Sequence, residues 1–515
     1  MNKKIVTKER FHDEIRPIIK KNNKTIALCH GVFDLVHPGH ITHLEQAKQM
    51  ADILVVSITA AKYVRKGPGR PYFGDEQRMN FLAALECVDY VMLSEGYTVD
   101  DIVESVEPDV YVKGREYADE KADLTGMITA ERLLVERHGG VVRYTGGDVF
   151  SSTKLINTAM SGLSPEVLEY MSSFKNRHSI EELKEYADKA LNLKVLVIGD
   201  VIIDRYTYCY MQGLVSKDMA YSTRLDRTEE YSGGAVAIAR HLCEFSSNVT
   251  LMSIIGNEEE IYRDIYDKYS KKMDLNLYQS KEIPTIFKQR FLTKDTKREE
   301  YDKLFVINNI DILKNYEEEL VDDFVGALQQ QIENYDVVFL CDFGHGLVGK
   351  RIMQIVQDKA KYLVLNCQTN STNTGKNIIT KYHRADAFSL DQRELGLAFP
   401  TIINNEKNAL IALANHLNGC GWLTRGSQGA YGISLESKDN VVMECPAFTL
   451  NVTDTIGAGD AFYSIAGIMS AAGASSEVAM VMGNIAGALG ANIVGNKEAV
   501  QKSNVLKYAS TLMNV

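Results

Sequence analysis

Residues 31–40 read GVFDLVHPGH, and residues 454–460 read DTIGAGD. The first motif sets His37 and His40 on either side of a Pro38-Gly39 turn. The second sets Asp460 directly after Gly457-Ala458-Gly459. Each could act on a nucleotide phosphate, by different means. Two imidazoles at a helix start can donate to phosphate oxygens and stabilise charge on a pentavalent transition state. Such a pair can equally be structural or bind a metal. In the second motif the glycines can turn successive N–H groups on a transferring γ-phosphoryl, helped by the positive end of the following helix. Asp460 would then stand beside the acceptor hydroxyl as its general base. The competing explanation is a glycine-rich helix start with no phosphate role.

These residues need strand ends and helix starts to hold them. The apolar run Thr25–Cys29, closed by His30-Gly31, reads as a buried strand, and parallel sheets bind ligands at such carboxyl edges. Further runs at 53–58, 88–93 and 110–112 alternate with helical patterns at 39–51, 75–86 and 98–106. That alternation predicts a parallel sheet with helices on both faces, over residues 1–160. Residues 161–190 are polar with helical periodicity and read as a helical linker. Ser164-Pro165-Glu166, and Ser179 followed by Glu182, mark its helix starts. A second alternation begins at Val195–Ile198 and runs through 249–255, 337–341, 362–366 and 420–424, giving a domain over 191–515. Residues 461–496 carry one charge, Glu477, yet are broken by Gly, Ser and Asn. Two buried helices of small residues fit that stretch better than a membrane span.

Composition bounds the partners. A chain of 515 residues implies two or three domains, and a net charge of −11 without a Lys/Arg block argues against nucleic acid or an anionic membrane. Small nucleotides stay compatible, because a few local donors can hold a phosphate on an acidic protein. The eight cysteines are scattered without a CxxC pair, which favours reduced thiols over a disulfide framework or zinc site. The N-terminal residues MNKKIVTKERFHDEI lack an apolar signal core, so a cytoplasmic protein is expected.

The first half resembles the cytidylyltransferase-like nucleotidyltransferases over about 24–157. GVFDLVHPGH matches their strand–turn–helix signature. Ala47-Lys48, the loop RKGPGRPYFGDEQR with Arg78, Val112-Lys113-Gly114 and Ser151-Ser152-Thr153 complete the match. The resemblance implies a Rossmann-like domain in which Gly31, Val32, Phe33, His37, His40, Lys48, Arg78, Lys113, Ser151, Ser152 and Thr153 meet nucleotide or phosphate. It places Asp34 on the substrate side. His30 stands where heptose-phosphate relatives have Asn, and Arg115-Glu116 where a smaller polar pair is common.

The second half resembles the PfkB, or ribokinase-like, sugar kinases over roughly 194–515, which implies an α/β domain with a small β lid. Gly199-Asp200 and Asp204 match the opening sugar-binding strand, and Gly233-Gly234 the first glycine signature. Thr424-Arg425-Gly426 matches a nucleotide-side strand end, and NVTDTIGAGDAF is nearly complete. The resemblance implies Asp200, Asp204, Gly233, Gly234, Lys288, Arg290 and Asp342 as substrate contacts. Thr424, Gly426, Thr455, Gly457, Ala458, Gly459 and Asn484 fall to the nucleotide. Asp391 and Glu394 fall to magnesium. Pro284-Thr285 with Lys288 and Arg290, and Asp342-Phe343-Gly344, fit the heptose 7-phosphate kinase branch. Paired cations suit a phosphorylated sugar, while a solvated strand face would also explain them. Three departures concern the sugar end. Ala237 replaces an Asn, His345 replaces a Lys, and 366–377 (NCQTNSTNTGKN) replaces an Asp-Pro-Lys segment.

Together the halves resemble the bifunctional heptose 7-phosphate kinase / heptose 1-phosphate adenylyltransferases with domain order reversed. The resemblance implies a nucleotide-sugar enzyme using Mg²⁺, ATP or CTP, and a monovalent cation, with sugar phosphates as substrates. It also implies a homodimer or larger homo-oligomer. The alternative is an active transferase, forming a CDP-polyol or nucleotide sugar, fused to a non-catalytic kinase-like module for ligand binding or assembly.

Overall fold

A computed structural model describes residues 3–64, 70–96, 98–114, 127–146, 163–215, 217, 219–294, 301–310, 315–370, 373–402, 405–435, 441–448, 452, 454–493 and 496–514. Two compact units result: Met1–Lys175 with Leu506–Val515, and Asn176–Val505.

In the first unit, β1 (Ile26–Gly31), β2 (Ile53–Thr59), β3 (Tyr90–Ser94), β4 (Val110–Lys113) and β5 (Val141–Tyr144) pair in the order β3-β2-β1-β4-β5. Every pairing is parallel. The order switches between β1 and β4, which opens a crevice at the strand carboxyl ends. Along β1, Ile26 and Leu28 enter one core with Val55 and Tyr111, while Ala27 and Cys29 enter another with Leu54, Val56 and Val112. Consecutive residues bury on opposite faces, so these strands read as unbroken apolar runs. The polar stretch after the sheet forms helices Pro165–Lys175 and Ile180–Ala190. Ser164 Oγ accepts the Val167 N–H at 3.3 Å and Ser179 Oγ the Glu182 N–H at 3.1 Å, the caps expected there.

The second unit carries β6 (Lys194–Gly199), β7 (Val201–Leu214), β8 (Tyr221–Gly234), β9 (Asn248–Gly256), β10 (Asp274–Ser280), β11 (Ile286–Lys294), β12 (Tyr301–Asn309), β13 (Val337–Asp342), β14 (Leu363–Cys367), β15 (Ala387–Asp391), β16 (Cys420–Thr424), β17 (Ala430–Ile433) and β18 (Val442–Cys445). A nine-stranded sheet has the order β10-β9-β6-β13-β14-β15-β16-β17-β18, parallel as far as β16 and antiparallel beyond. A four-stranded lid has the order β12-β11-β7-β8. One face of the large sheet packs Leu196, Ile198, Leu340 and Leu365 into a single core. Helix Ala458–Ala471 lies on the other. A Cβ on its Gly467 would meet Phe339 and Val364 at 2.6 and 2.7 Å, so only glycine permits this approach. With Ser476–Gly490 it makes the two buried helices expected from 461–496. Among the described residues, no helix is long and apolar enough to cross a membrane.

Candidate active sites

The first site is built at the carboxyl end of β1. Gly31 closes the strand, and Phe33 follows with φ +46°, a left-handed conformation costly for a bulky residue. That turn packs the Phe33 ring 5.3 Å from the His40 ring. A Cβ on Gly31 would crowd the Phe33 ring at 3.1 Å. His37 is the N-cap of helix Pro38–Gln49, and its Nδ1 accepts the Gly39 N–H at 3.1 Å. An accepting Nδ1 leaves the proton of the neutral ring on Nε2, a donor ready for an anionic oxygen. Burial lowers the His37 pKa and keeps the ring neutral. The two imidazoles lie 4.0 Å apart, at the positive end of the helix. Val32 contributes to this turn through its carbonyl, which accepts from Arg78 at 2.7 Å.

Several residues expected at the nucleotide are instead engaged by the protein. The Arg78 guanidinium is buried and directs its five N–H groups at the Phe73, Val32 and Thr59 carbonyls and at Asp75. It therefore fixes the turns around the site and has no donor left for phosphate. Asp34, expected on the substrate side, is buried, paired with Arg70 at 2.6 Å, and accepts the Phe73 N–H at 3.0 Å. Lys48 is eight residues beyond His40 on the same helix, about 12 Å along its axis. Its Nζ binds Asp89 Oδ2 at 2.6 Å, and that carboxylate also accepts the Leu54 N–H at 2.7 Å, near the amino end of β2. Lys48 thus lies at the opposite sheet edge from the histidines, because a twelve-residue helix carries its two ends to opposite edges. Lys113 ends β4 on the histidine edge, where its Nζ pairs with Glu131 at 2.6 Å. Ser151, Ser152 and Thr153 lie outside the described residues.

Two further histidines lie at this edge, His30, which departs from the relatives' Asn, and His43, which the motifs did not mark. His30 is held by the Ser57 and Thr59 hydroxyls at 2.8 and 3.3 Å. His43 meets the Thr145 hydroxyl at 2.8 Å, and the Thr145 N–H donates to the Lys113 carbonyl at 3.0 Å. Each contact spans 27 residues or more, beyond what local sequence reveals.

The second site is a cavity of about 290 Å³ in the Asn176–Val505 unit, lined by Asp204, Gly234, Lys288, Arg290, Gln368, Asp391, Glu394, Thr424, Gly457, Gly459 and Asp460. Gly457 caps helix Ala458–Ala471 with φ +86°, and a Cβ there would overlap Asn496 Oδ1. Asp460 falls in the first turn, where backbone N–H groups have no intrahelical acceptor and favour anions. Burial, and then Asp204, raise its pKa to about 6, against a hydrogen bond from Gln368 and the Lys288 charge. Glu394 rises to about 7, through burial and then Asp391. Across the cavity, β7 and β11 pair in parallel with Lys288 beside Asp204. Gly233 lies under Asp204, and a Cβ there would overlap its Oδ2. Gly234 turns at φ +57° into helix Ala235–Cys243, and the Asp200 carbonyl accepts the Ala235 N–H at 3.0 Å.

Residues 192–500, more than half of the chain, match the pfkB family of carbohydrate kinases. The chain belongs to that family. Residues 28–158 match the cytidylyltransferase-like family, so the pfkB kinase domain follows a cytidylyltransferase-like one. In the N-terminal part, the chain is 40% identical over 140 residues to the bifunctional protein HldE of Koribacter versatilis, covering 27% of each protein. It is 34% identical over 156 residues to HldE of Campylobacter jejuni, covering 30% of this chain and 31% of that one. The match spans under a third of the length of these curated relatives. Among solved structures, phosphofructokinase-2 from Escherichia coli with substrates and products aligns at a TM-score of 0.48 and 14% identity, over 62% of this chain and 99% of that one. Ribokinase from Thermotoga maritima aligns at 0.47 and 14%, with the same coverage.

Within the pfkB-family half, Thr424, Gly457, Gly459 and Asp460 gather in the cavity, and several residues expected on the sugar side are more committed than the motifs suggest. Arg290 is tied to Asp204 Oδ1 at 2.5 Å, whereas the Lys288 ammonium faces the Phe343 ring at 6.0 Å without an ion pair among the described residues. Of these two cations on this wall, Lys288 alone lacks an ion pair among the described residues. Asp342 is buried and fully engaged. It accepts from Tyr382 at 2.7 Å, from the Gly344 N–H at 2.9 Å and from Asn377 at 3.2 Å, and pairs with Lys381 at 2.5 Å. Through these partners it organises the loops behind the cavity. Asp200 is buried beside it, and burial followed by the Asp342 charge raises its carboxyl to about 7. Asn484 donates to the Pro446 carbonyl at 2.7 Å, holding the segment after β18, and Thr455 is exposed. Gly426 follows β16 with φ +56°. Ala237 is packed in helix Ala235–Cys243. His345 is buried, burial lowers its pKa to about 3, and neither ring nitrogen has a hydrogen-bond partner among the described residues. The end of β14 and the polar residues after it supply three cavity residues that motif reading missed, Asn366, Gln368 and Thr369.

Proposed function

We propose that this chain is a two-site, Mg²⁺-dependent enzyme of nucleotide-sugar synthesis. At the pfkB-family site, Asp460 takes the proton from an acceptor hydroxyl. The acceptor oxygen bonds to the γ-phosphorus of ATP, and the γ–β bridge breaks to release ADP. The observation that carries this reading is the placement of Asp460 at a helix N-terminus inside a cavity that also holds Asp204 and Lys288. Lys288, in the cavity and without an ion pair among the described residues, suits a heptose-type sugar phosphate as acceptor. Asp391 and Glu394 offer hard carboxylate oxygens from a capping box, with one Asp391 oxygen free of it, a donor set that fits Mg²⁺. The ion would neutralise phosphate charge and relieve the repulsion between these two carboxylates.

At the first site, a sugar phosphate oxygen attacks the α-phosphorus of ATP or CTP, and the α–β bridge breaks to release pyrophosphate. His37 and His40 stabilise the charge that develops. The names of the HldE relatives, bifunctional proteins, agree with two activities in one chain. The exposed Leu214, Tyr221 and Leu225 of the long β7–β8 hairpin suit a homodimer or larger assembly in the cytoplasm. Sedimentation at the monomer mass would overturn that pairing.

The test is a screen of the purified chain with ATP and CTP against sugars, heptose and pentitol phosphates and sugar 1-phosphates, reading ADP and pyrophosphate separately. Sugar-dependent ADP and pyrophosphate release are both expected. No pyrophosphate with any pair ends the transferase reading. A second reading rests on Ala237 and the engaged Asp342: the pfkB-family half binds or assembles without transferring phosphate. It predicts pyrophosphate release without any sugar-dependent ADP.

A further inference from the structure

We infer that Gln368 is the positioning residue for the base Asp460, and that Asn370, Asn373 and Asn377 beside it form the frame that holds it there. The inference rests on the kinase reading of the second site. Gln368 lines the cavity, and its Nε2 donates to Asp460 Oδ1 at 3.2 Å. A carboxylate turns easily about its terminal torsion, which is broad and two-fold. One fixed donor on Oδ1 breaks that symmetry and leaves Oδ2 for the acceptor hydroxyl.

The donor is itself held from several sides. The Gln368 N–H donates to the Asp342 carbonyl at 2.8 Å, and its carbonyl accepts from Asn377 at 3.1 Å. The Asn377 side chain is in turn bound by Lys381 at 2.6 Å, the same lysine that pairs with Asp342. Asn370 and Asn373 both donate to the Phe343 carbonyl at 2.9 Å, fastening the segment to the turn after β13. The next residue reaches the other acidic pair, since the Thr369 N–H donates to Glu394 Oε1 at 3.0 Å. Gln368 and Thr369, in the run that replaces an Asp-Pro-Lys segment, thus join the base to a candidate metal carboxylate through adjacent residues. The engaged Asp342 acquires a purpose as the anchor of this frame. Because an amide stays neutral, its hydrogen bond orients Asp460 and favours the ionised, proton-accepting form without pairing the carboxylate with a full charge.

The test is Gln368→Met, which keeps the length and removes the donor, alone and combined with Asp460→Asn. Sugar-dependent ADP formation should fall about tenfold in kcat while KM for ATP stays within about twofold. The acid limb of log kcat should move to higher pH by about one unit, because a hydrogen bond to the ionised form is lost. The double variant should be no slower than Asp460→Asn alone, since the two residues act as one unit. An unmoved acid limb, or losses that multiply in the double variant, would overturn the inference. Should the wild-type chain transfer no phosphate, the kinase reading fails by itself. The positioning contact is then judged by carbon-13 titration of the Asp460 carboxyl, assigned with Asp460→Asn. Its midpoint should rise in Gln368→Met, and an unchanged midpoint rejects the contact.

Discussion

Asp460→Asn should cut sugar-dependent ADP formation by about a thousandfold and leave pyrophosphate release at the first site unchanged. Asparagine keeps the size and the first-turn position of the side chain, so helix Ala458–Ala471 and the Gly457 turn should survive. What disappears is the group able to accept a proton. KM for ATP should change little, because the phosphate contacts proposed for Gly457 and Gly459 are backbone contacts. The wild-type pH profile supplies an independent check. The carboxyl is raised to about 6, chiefly by burial. A general base acts when ionised, so kcat should be flat above that value and fall as pH drops through it. The variant's residual rate should lack that limb. Equal and negligible transfer by wild type and variant with every sugar would leave the pfkB-family half without a kinase role.

The reason one substitution can be so selective lies in how the fold assigns work. Most parallel strands of the five- and nine-stranded sheets were legible because parallel strands bury both faces, whereas β5, β10 and β15 were not among the runs read. Val195–Ile198, for example, reads as one apolar run, and the structure gives it alternate sides of a covered sheet. The caps at Ser164 and Ser179 were legible because they depend on residues three apart. Positions whose function depends on glycine geometry, Gly233 and Gly457, were legible for a similar reason: the constraint is local and leaves a motif.

Charged residues were not legible in the same way. Arg78, Lys48, Asp34 and Asp342 all sit in or near motifs, yet each has a partner 19 to 46 residues away that engages its charge. A motif gives residue type and spacing, whereas the pairing of a buried charge depends on which loops the fold brings beside it. The same blindness ran in the other direction for Gln368. Nothing in NCQTNSTNTGKN marks one glutamine as a neighbour of a carboxylate 92 residues on. Buried amides are costly unless bonded, and a run rich in them within a compact domain was the one available hint that it served as internal wiring.

His37→Asn is the sharper test of the first site, because His37 has two separable duties. As N-cap, its Nδ1 accepts the Gly39 N–H, a service asparagine performs equally well. As phosphate donor, its Nε2–H reaches outward, and asparagine's shorter amide cannot follow. Thermal stability of the variant should therefore stay within about 0.5 kcal/mol of wild type. Pyrophosphate release should fall by about a hundredfold or more, the usual loss of one preorganised donor. His40→Ala should show a comparable loss, with sugar-dependent ADP formation intact in both. The direction of the His37 shift adds a sign. Burial lowers its pKa, so the ring is neutral at pH 7 and no charged form is titrated away as pH rises. Pyrophosphate release should hold level from pH 7 to 8. A decline over that range would assign the donor role to an imidazolium. Full activity in His37→Asn would reduce the histidine to a cap and leave His40 as the imidazole acting on phosphate.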